Sequence, residues 1–200
     1  VATTNYAGSI GAQFRESWNG FKLTEMLTIP PGCGAATNGE DYFNQNSPTP
    51  IGCPPPVNVR SDCHDPGTVS GVFARSTWAA SIREITDGTA STIAMGEILP
   101  RSSAFQWVMG WTYAEGLWFA TTAPINHPTD RDALSEPRRP PRGGDWDDDF
   151  NVAMGFKSRH SGGANFMFCD GSGQFLNETI DYGTYQALGA RADGAVMGEY

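Results

Sequence analysis

Four sets of residues in this chain have types and spacings that can carry chemistry. His160 is separated by nine residues from Asp170-Gly171, and a histidine, which titrates near neutrality, serves as a base or a ligand. Asp145, Asp147, Asp148 and Asp149 form an acidic run, whose carboxylates suit Ca²⁺. Trp107, Trp111, Trp118 and Trp146 offer rings on which a sugar can stack. Glu97 and Asp170 are two acids near expected strand ends; glycoside hydrolysis needs such a pair about 5–10 Å apart across a cleft.

Each reading has a plainer competitor. No Gly-x-Ser-x-Gly elbow or His-Glu-x-x-His motif accompanies His160, so a structural histidine takes precedence, donating to a loop carbonyl and pinning the Gly162-Gly163 bend. Asp170 before Gly171 and Asp87 before Gly88 are first of all turn formers, because an aspartate carboxylate accepts backbone N–H groups across a bend. The acidic run lacks the alternation and terminal Glu of an EF-hand. It reads mainly as a solvated patch facing Arg138, Arg139 and Arg142, whose exposed pairs contribute about 0–1 kcal/mol each. Large rings are usually core. Nothing in the spacing of Glu97 and Asp170 supports an acid pair.

These residues need elements to position them. Phe166 and Phe168 alternate with other residues ahead of Asp170-Gly171, and Phe175 resumes the apolar pattern beyond it. Asp-Gly between apolar runs signals a β-hairpin, since Gly accepts the positive φ of a tight turn. The hairpin's first strand puts roughly 20 Å between His160 and Asp170, which argues against their contact. Gly71–Ala74, Thr92–Leu99 and Phe105–Thr112 read as strands, the second ended by Pro100, and Leu117–Ala120 as a strand pairing with the third. Leu23–Ile29 reads as a further strand. Trp78–Ile85 reads as a short helix or turn with Ile82 and Ile85 on one face, and a short helix is expected over about Thr184–Ala192. The stretches 32–56 and 124–149 read as long irregular insertions in one domain covering 1–200.

The 200 residues include 24 Gly, 14 Pro, six Trp and 11 Phe, with a net charge of −9. A chain so rich in turn formers and rings builds short strands around an aromatic core. The acidic balance disfavours nucleic acid, which binds clustered Lys and Arg. No apolar run of about 18 residues suits a membrane span, and no signal peptide is visible. Cys33, Cys53, Cys63 and Cys169 fit no zinc spacing. An even count in a loop-rich chain points to two disulfides and an oxidising compartment, with three pairings open; Cys33–Cys53 would close the polar loop between them.

His160, nine residues, then Asp170-Gly171 resembles the signature of bacterial prepilin-type H-X9-DG proteins. Ser81-Ile82-Arg83-Glu84-Ile85-Thr86-Asp87-Gly88-Thr89-Ala90-Ser91-Thr92-Ile93-Ala94-Met95-Gly96-Glu97 is similar to a second block of that family. Tyr185–Arg191 with Gly198-Glu199-Tyr200 is similar to its C-terminus, and Asn5-Tyr6-Ala7-Gly8 to a further block. The resemblance spans nearly the whole chain, strongest over 72–99 and 156–200. It implies an α+β, mostly antiparallel pilin-like head with short helices and long loops, exported to the cell surface, periplasm or exterior. It also implies self-association or assembly with pilin-like subunits, and it adds weight to a loop Ca²⁺.

Pilin-type chains start with a basic leader and a long apolar helix. Val1-Ala2-Thr3-Thr4-Asn5 reads instead as the middle of a family member, so a truncated or processed chain, or the ordered part of a longer one, is expected. Membrane attachment would run only through that helix. The function expected is a non-enzymatic structural subunit. Polysaccharide or solute binding through exposed aromatics is the alternative, and a hydrolase the weaker one.

Overall fold

The computed structural model describes residues 4–11, 69–74, 78–103, 106, 110, 118–127 and 154–194. Strands β1 (Tyr6–Ser9), β2 (Ile93–Glu97), β3 (Trp118–Phe119), β4 (Gly163–Phe168) and β5 (Gly173–Asn177) form one sheet in the order β3-β1-β2-β4-β5. Every pairing is antiparallel except β1 with β3. Helix α1 (Tyr182–Gly189) packs on the sheet. The fold is therefore α+β and mostly antiparallel, as expected.

Sequence alternation sorts the two faces. Residues opposed across antiparallel strands share a face. Ala164, Phe166 and Phe168 of β4 point into the core, with Leu176 of β5 opposite Ala164. Asn165 and Met167 point the other way, with Phe175 opposite Asn165. In β2 the alternation breaks at Ala94, an extra residue between the pairs Ile93–Phe168 and Met95–Met167. This bulge lets Ile93 stay in the core while Met95 and Glu97 turn to the open face and Gly96 returns inward, opposite Phe166.

The core is a run of rings. Phe119 and Phe156 lie 6.0 Å apart, Phe156 and Phe166 5.3 Å and nearly edge to face, Phe166 and Tyr185 6.0 Å. Such tilted pairs suit the ring quadrupoles. Gly96 makes room for them: a Cβ there would come within 2.6 Å of both Phe156 and Phe166. Helix α1 closes the layer with Tyr185 and Leu188, both fully buried. Its start is fixed by Asp181, whose carboxylate accepts the Thr184 N–H at 2.8 Å.

Several local expectations are corrected. Gly71–Ala74 is no strand; it contributes one bridge, Phe73 to Ala79. The short helix or turn expected over Trp78–Ile85 is confined to a 3₁₀ turn at Ile82–Glu84, and Ile82 is among the most exposed apolar residues described. Of the strand expected over 105–112 only Gln106 and Gly110 are described, and there Gly110 donates its N–H to the Gln106 carbonyl, a helical bond rather than a ladder bond. Among the described residues Trp118–Phe119 pairs with β1. Phe175 is about half exposed, and Leu176 fills the core in its place. The start of the 124–149 stretch is built into the fold: Ile125 is buried, and Asn126, at φ 61°, bonds three ways. Residues 23–29 and 32–56 lie outside the described residues.

Replacing Gly96 by alanine forces a methyl into the Phe156–Phe166 contact. We expect a loss of about 1–3 kcal/mol, read as a lowered denaturant midpoint with unchanged slope; Gly173→Ala, whose added methyl meets open space nearly everywhere, should cost less.

Candidate functional site

The polar residues of the open sheet face converge on Glu97. Its register places it beside Asn165 of β4 and opposite Tyr6 of β1. One carboxylate oxygen, Oε2, accepts the Asn165 backbone N–H at 2.7 Å and its side-chain Nδ2 at 3.1 Å. The other, Oε1, meets the Tyr6 hydroxyl at 3.3 Å and His160 Nε2 at 3.2 Å. The Glu97 side chain is 13 % exposed and the His160 side chain 57 %. Burial, and after it the Glu97 charge, raises the Tyr6 phenol above its usual value.

His160 is held from behind as well. Its backbone N–H donates to the Ser158 hydroxyl, which itself donates to the Gly163 carbonyl at 2.6 Å. Gly162, at φ +84°, makes the bend that carries the chain from His160 into β4. The imidazole's partner is thus a carboxylate from β2, and the expected loop-carbonyl bond is corrected accordingly. The ring lies edge-on to Phe175, 6.4 Å away.

At the opposite end of the sheet, Asp170 and Gly171 close the β4–β5 turn. Ser172 donates its N–H to Asp170 Oδ1 at 2.8 Å, Gly171 stands at φ +86°, and its N–H reaches the Phe168 carbonyl. The turn is tied to the Asp87-Gly88 loop, because Asp170 N–H donates to the Thr89 carbonyl and Cys169 N–H to that of Thr92. Gly88 takes φ +100°. Asp87 in turn accepts the N–H groups of Asp193 at 2.6 Å and Gly194 at 3.0 Å. Arg191 beside them donates to the carbonyls of Val69 and Gly71 and covers the Trp78 ring at 5.0 Å.

Residues 34–183 match the family model described as "Protein of unknown function (DUF1559)". The chain belongs to that family. Searches of curated proteins and of solved structures return no match. Within this DUF1559 domain the candidates fare unequally. Glu97 ends β2 beside Asn165, whereas Asp170 lies in the turn beyond the far end of β4, so they form no acid pair. Trp118 is 3 % exposed and is a core ring rather than a stacking platform. Trp107, Trp111, Trp146 and the run Asp145, Asp147, Asp148, Asp149 lie outside the described residues. Among the described residues no group of His, Cys, Asp and Glu is arranged to hold a metal ion, and no helix there is long and apolar enough to cross a membrane.

Among the described residues Cys169 has no disulfide partner. Cys33, Cys53 and Cys63 lie outside the described residues, and with them the expected pairings. Burial, with the Asp170 charge adding to it, pushes the Cys169 thiol from 9.0 up to about 11. The thiolate is the reactive form, so Cys169 of the folded protein should react with a disulfide reagent at pH 8 much more slowly than in urea; equal rates would contradict its burial. The neutral thiol is favoured in the folded state, so its contribution to stability is whole below about pH 9 and fades as the pH rises towards 11.

Residue-by-residue reading missed Asn126. Its Nδ2 donates to Glu178 Oε2 at 2.8 Å and to the Gly163 carbonyl, and its Oδ1 accepts the Ser158 N–H at 2.7 Å. Its one local signal is type: Asn is enriched at positive φ.

Proposed function

We propose that this domain is a pseudopilin-like H-X9-DG subunit, a non-enzymatic structural component of an extracellular filament or cell-surface assembly. One observation carries the reading. The side chains that mark the sequence resemblance are engaged with the fold itself: Asp87 with the 193–194 backbone, Asp170 with its own turn, and His160 with Glu97. Residues that do chemistry are aimed at a substrate; these fasten strands and loops to each other.

The open sheet face supplies the means to assemble. Tyr6, Met167 and Phe175 are each at least 40 % exposed there, on three strands of one rigid sheet. Apolar groups so placed gain about 25 cal/mol for each Å² covered. Contacts of this kind between non-equivalent surfaces propagate into filaments when the rotation does not close. The composition, rich in Gly, Pro and aromatics and low in charge, supports an exported, rigid particle.

Light scattering coupled to sizing, with negative-stain microscopy, tests the proposal. Association that grows with protein concentration is expected, together with a loss of at least about tenfold in affinity for Met167→Glu combined with Phe175→Glu at unchanged melting temperature. A chain that stays monomeric at the highest soluble concentration would sink it.

A further inference from the structure

Strand β5 is the outer strand of the sheet, with β4 on one side and no described strand on the other. The bonds at its two ends show which of its backbone groups meet β4. Phe168 donates its N–H to the Ser172 carbonyl, and Glu178 donates its own to that of Gly162. Antiparallel ladders alternate bonded and non-bonded pairs. Gln174 and Leu176 therefore also face β4, and Gly173, Phe175 and Asn177 turn their N–H and C=O groups to the free edge. The neighbouring strand agrees, because Asn165, paired with Phe175, sends its N–H to Glu97 instead. The same three residues are the exposed ones, Phe175 at 48 %. Among the described residues, the Asn177 carbonyl alone of these outward groups has a partner, the Ile180 N–H.

Native proteins usually blunt such an edge with lysine, proline or a bulge, so that a second chain does not pair with it. Gly173-Gln174-Phe175-Leu176-Asn177 carries no charge and no proline, and its register against β4 runs without a shift. Its outward groups are symmetric about Phe175. In an antiparallel copy centred there, each Phe175 exchanges both bonds with the other, and Gly173 does so with Asn177 of the copy. The Asn177 carbonyl keeps a second lone pair for this. That register sets Glu178 opposite Ser172 of the copy and Asp170 opposite Ile180, so the acids at the two ends avoid each other. In-register parallel pairing would set them like against like, which is unfavourable. A foreign strand is recognised through pockets for its alternate side chains; a second copy needs only this match.

We propose that a second copy of this chain adds to β5 edge to edge, antiparallel and centred on Phe175, joining two five-stranded sheets into one. The two-fold axis stands perpendicular to the sheet. The two Phe175 rings then meet on the open side, and the open faces with Tyr6 and Met167 run on continuously from one copy to the next. Such a contact is isologous and closes on itself, so it yields a dimer and leaves the growth of a longer assembly to the open face. It deepens the assembly reading, on which it rests, by naming one contact within it.

Amide hydrogen exchange, followed by NMR on the parent protein below and above its association midpoint, tests this contact. The N–H groups of Gly173, Phe175 and Asn177 should become protected as the protein associates, whereas those of Gln174 and Leu176 should be protected at both concentrations. Gly173→Pro removes one outward N–H and leaves the β4 ladder intact, and proline is accepted at the first residue of a strand. It should weaken association about tenfold or more at an unchanged melting temperature. Association that leaves the three amides exchanging as fast as in dilute protein would overturn the edge contact and leave the assembly reading standing. Unaltered association of a folded Gly173→Pro protein would do the same. A chain that stays monomeric at every concentration would overturn both.

Discussion

A carboxylate at the end of a central strand is the constraint on which the rest depends. Glu97 is mostly withdrawn from water, and a buried charge is costly unless donors surround it. The chain supplies them from three directions: Tyr6 from β1, the Asn165 backbone and side chain from β4, and His160 from the segment before β4. Satisfying one acid therefore fixes how three pieces of chain, far apart in sequence, lie against one another. The Glu97 backbone adds a further tie, its carbonyl accepting the Lys157 N–H.

That arrangement relies on a division of labour within β2. The bulge at Ala94 sets the phase so that Gly96 faces the rings and Glu97 faces the open side. Without the extra residue, the face-alternation of the strand would put either Ile93 or Glu97 on the wrong side. The absence of a side chain at Gly96 and the presence of a charged one at Glu97 are thus two halves of one requirement. The rings need space on the core face, and the loops need an anchor on the other. The opposite end of the sheet is fastened by backbone N–H groups that meet loop carbonyls and the Asp87 carboxylate, where the Asp170 turn, the Asp87-Gly88 loop and the residues after α1 come together.

The parts of this that sequence revealed are those with strong local signals. Asp170-Gly171 between apolar runs gave the hairpin, because only glycine accepts φ +86° cheaply. The β-branched and apolar run at Thr92–Leu99 gave β2, and α1 was found to within two or three residues at each end. What failed depended on distant partners. Tyr6–Ser9 carries no periodic pattern long enough to mark a strand, and becomes one through β2 and β3 on either side. Phe175 and Leu176 are adjacent and both apolar, so which of them is buried follows from pairing register alone. The His160–Glu97 contact spans 63 positions. Both residues were singled out separately, but only the sheet brings them together.

His160 acts on this fold through Glu97. The most direct test of this is a thermodynamic cycle on chemical denaturation with Glu97→Ala, His160→Ala and the double variant. If the account holds, Glu97→Ala loses about 1.5–3 kcal/mol, the range for charge-assisted bonds and the donors left behind. His160→Ala then loses less, as expected for an exposed partner, and the double variant loses no more than Glu97→Ala alone. Losses that simply add, or a Glu97→Ala protein as stable as the parent, would contradict it.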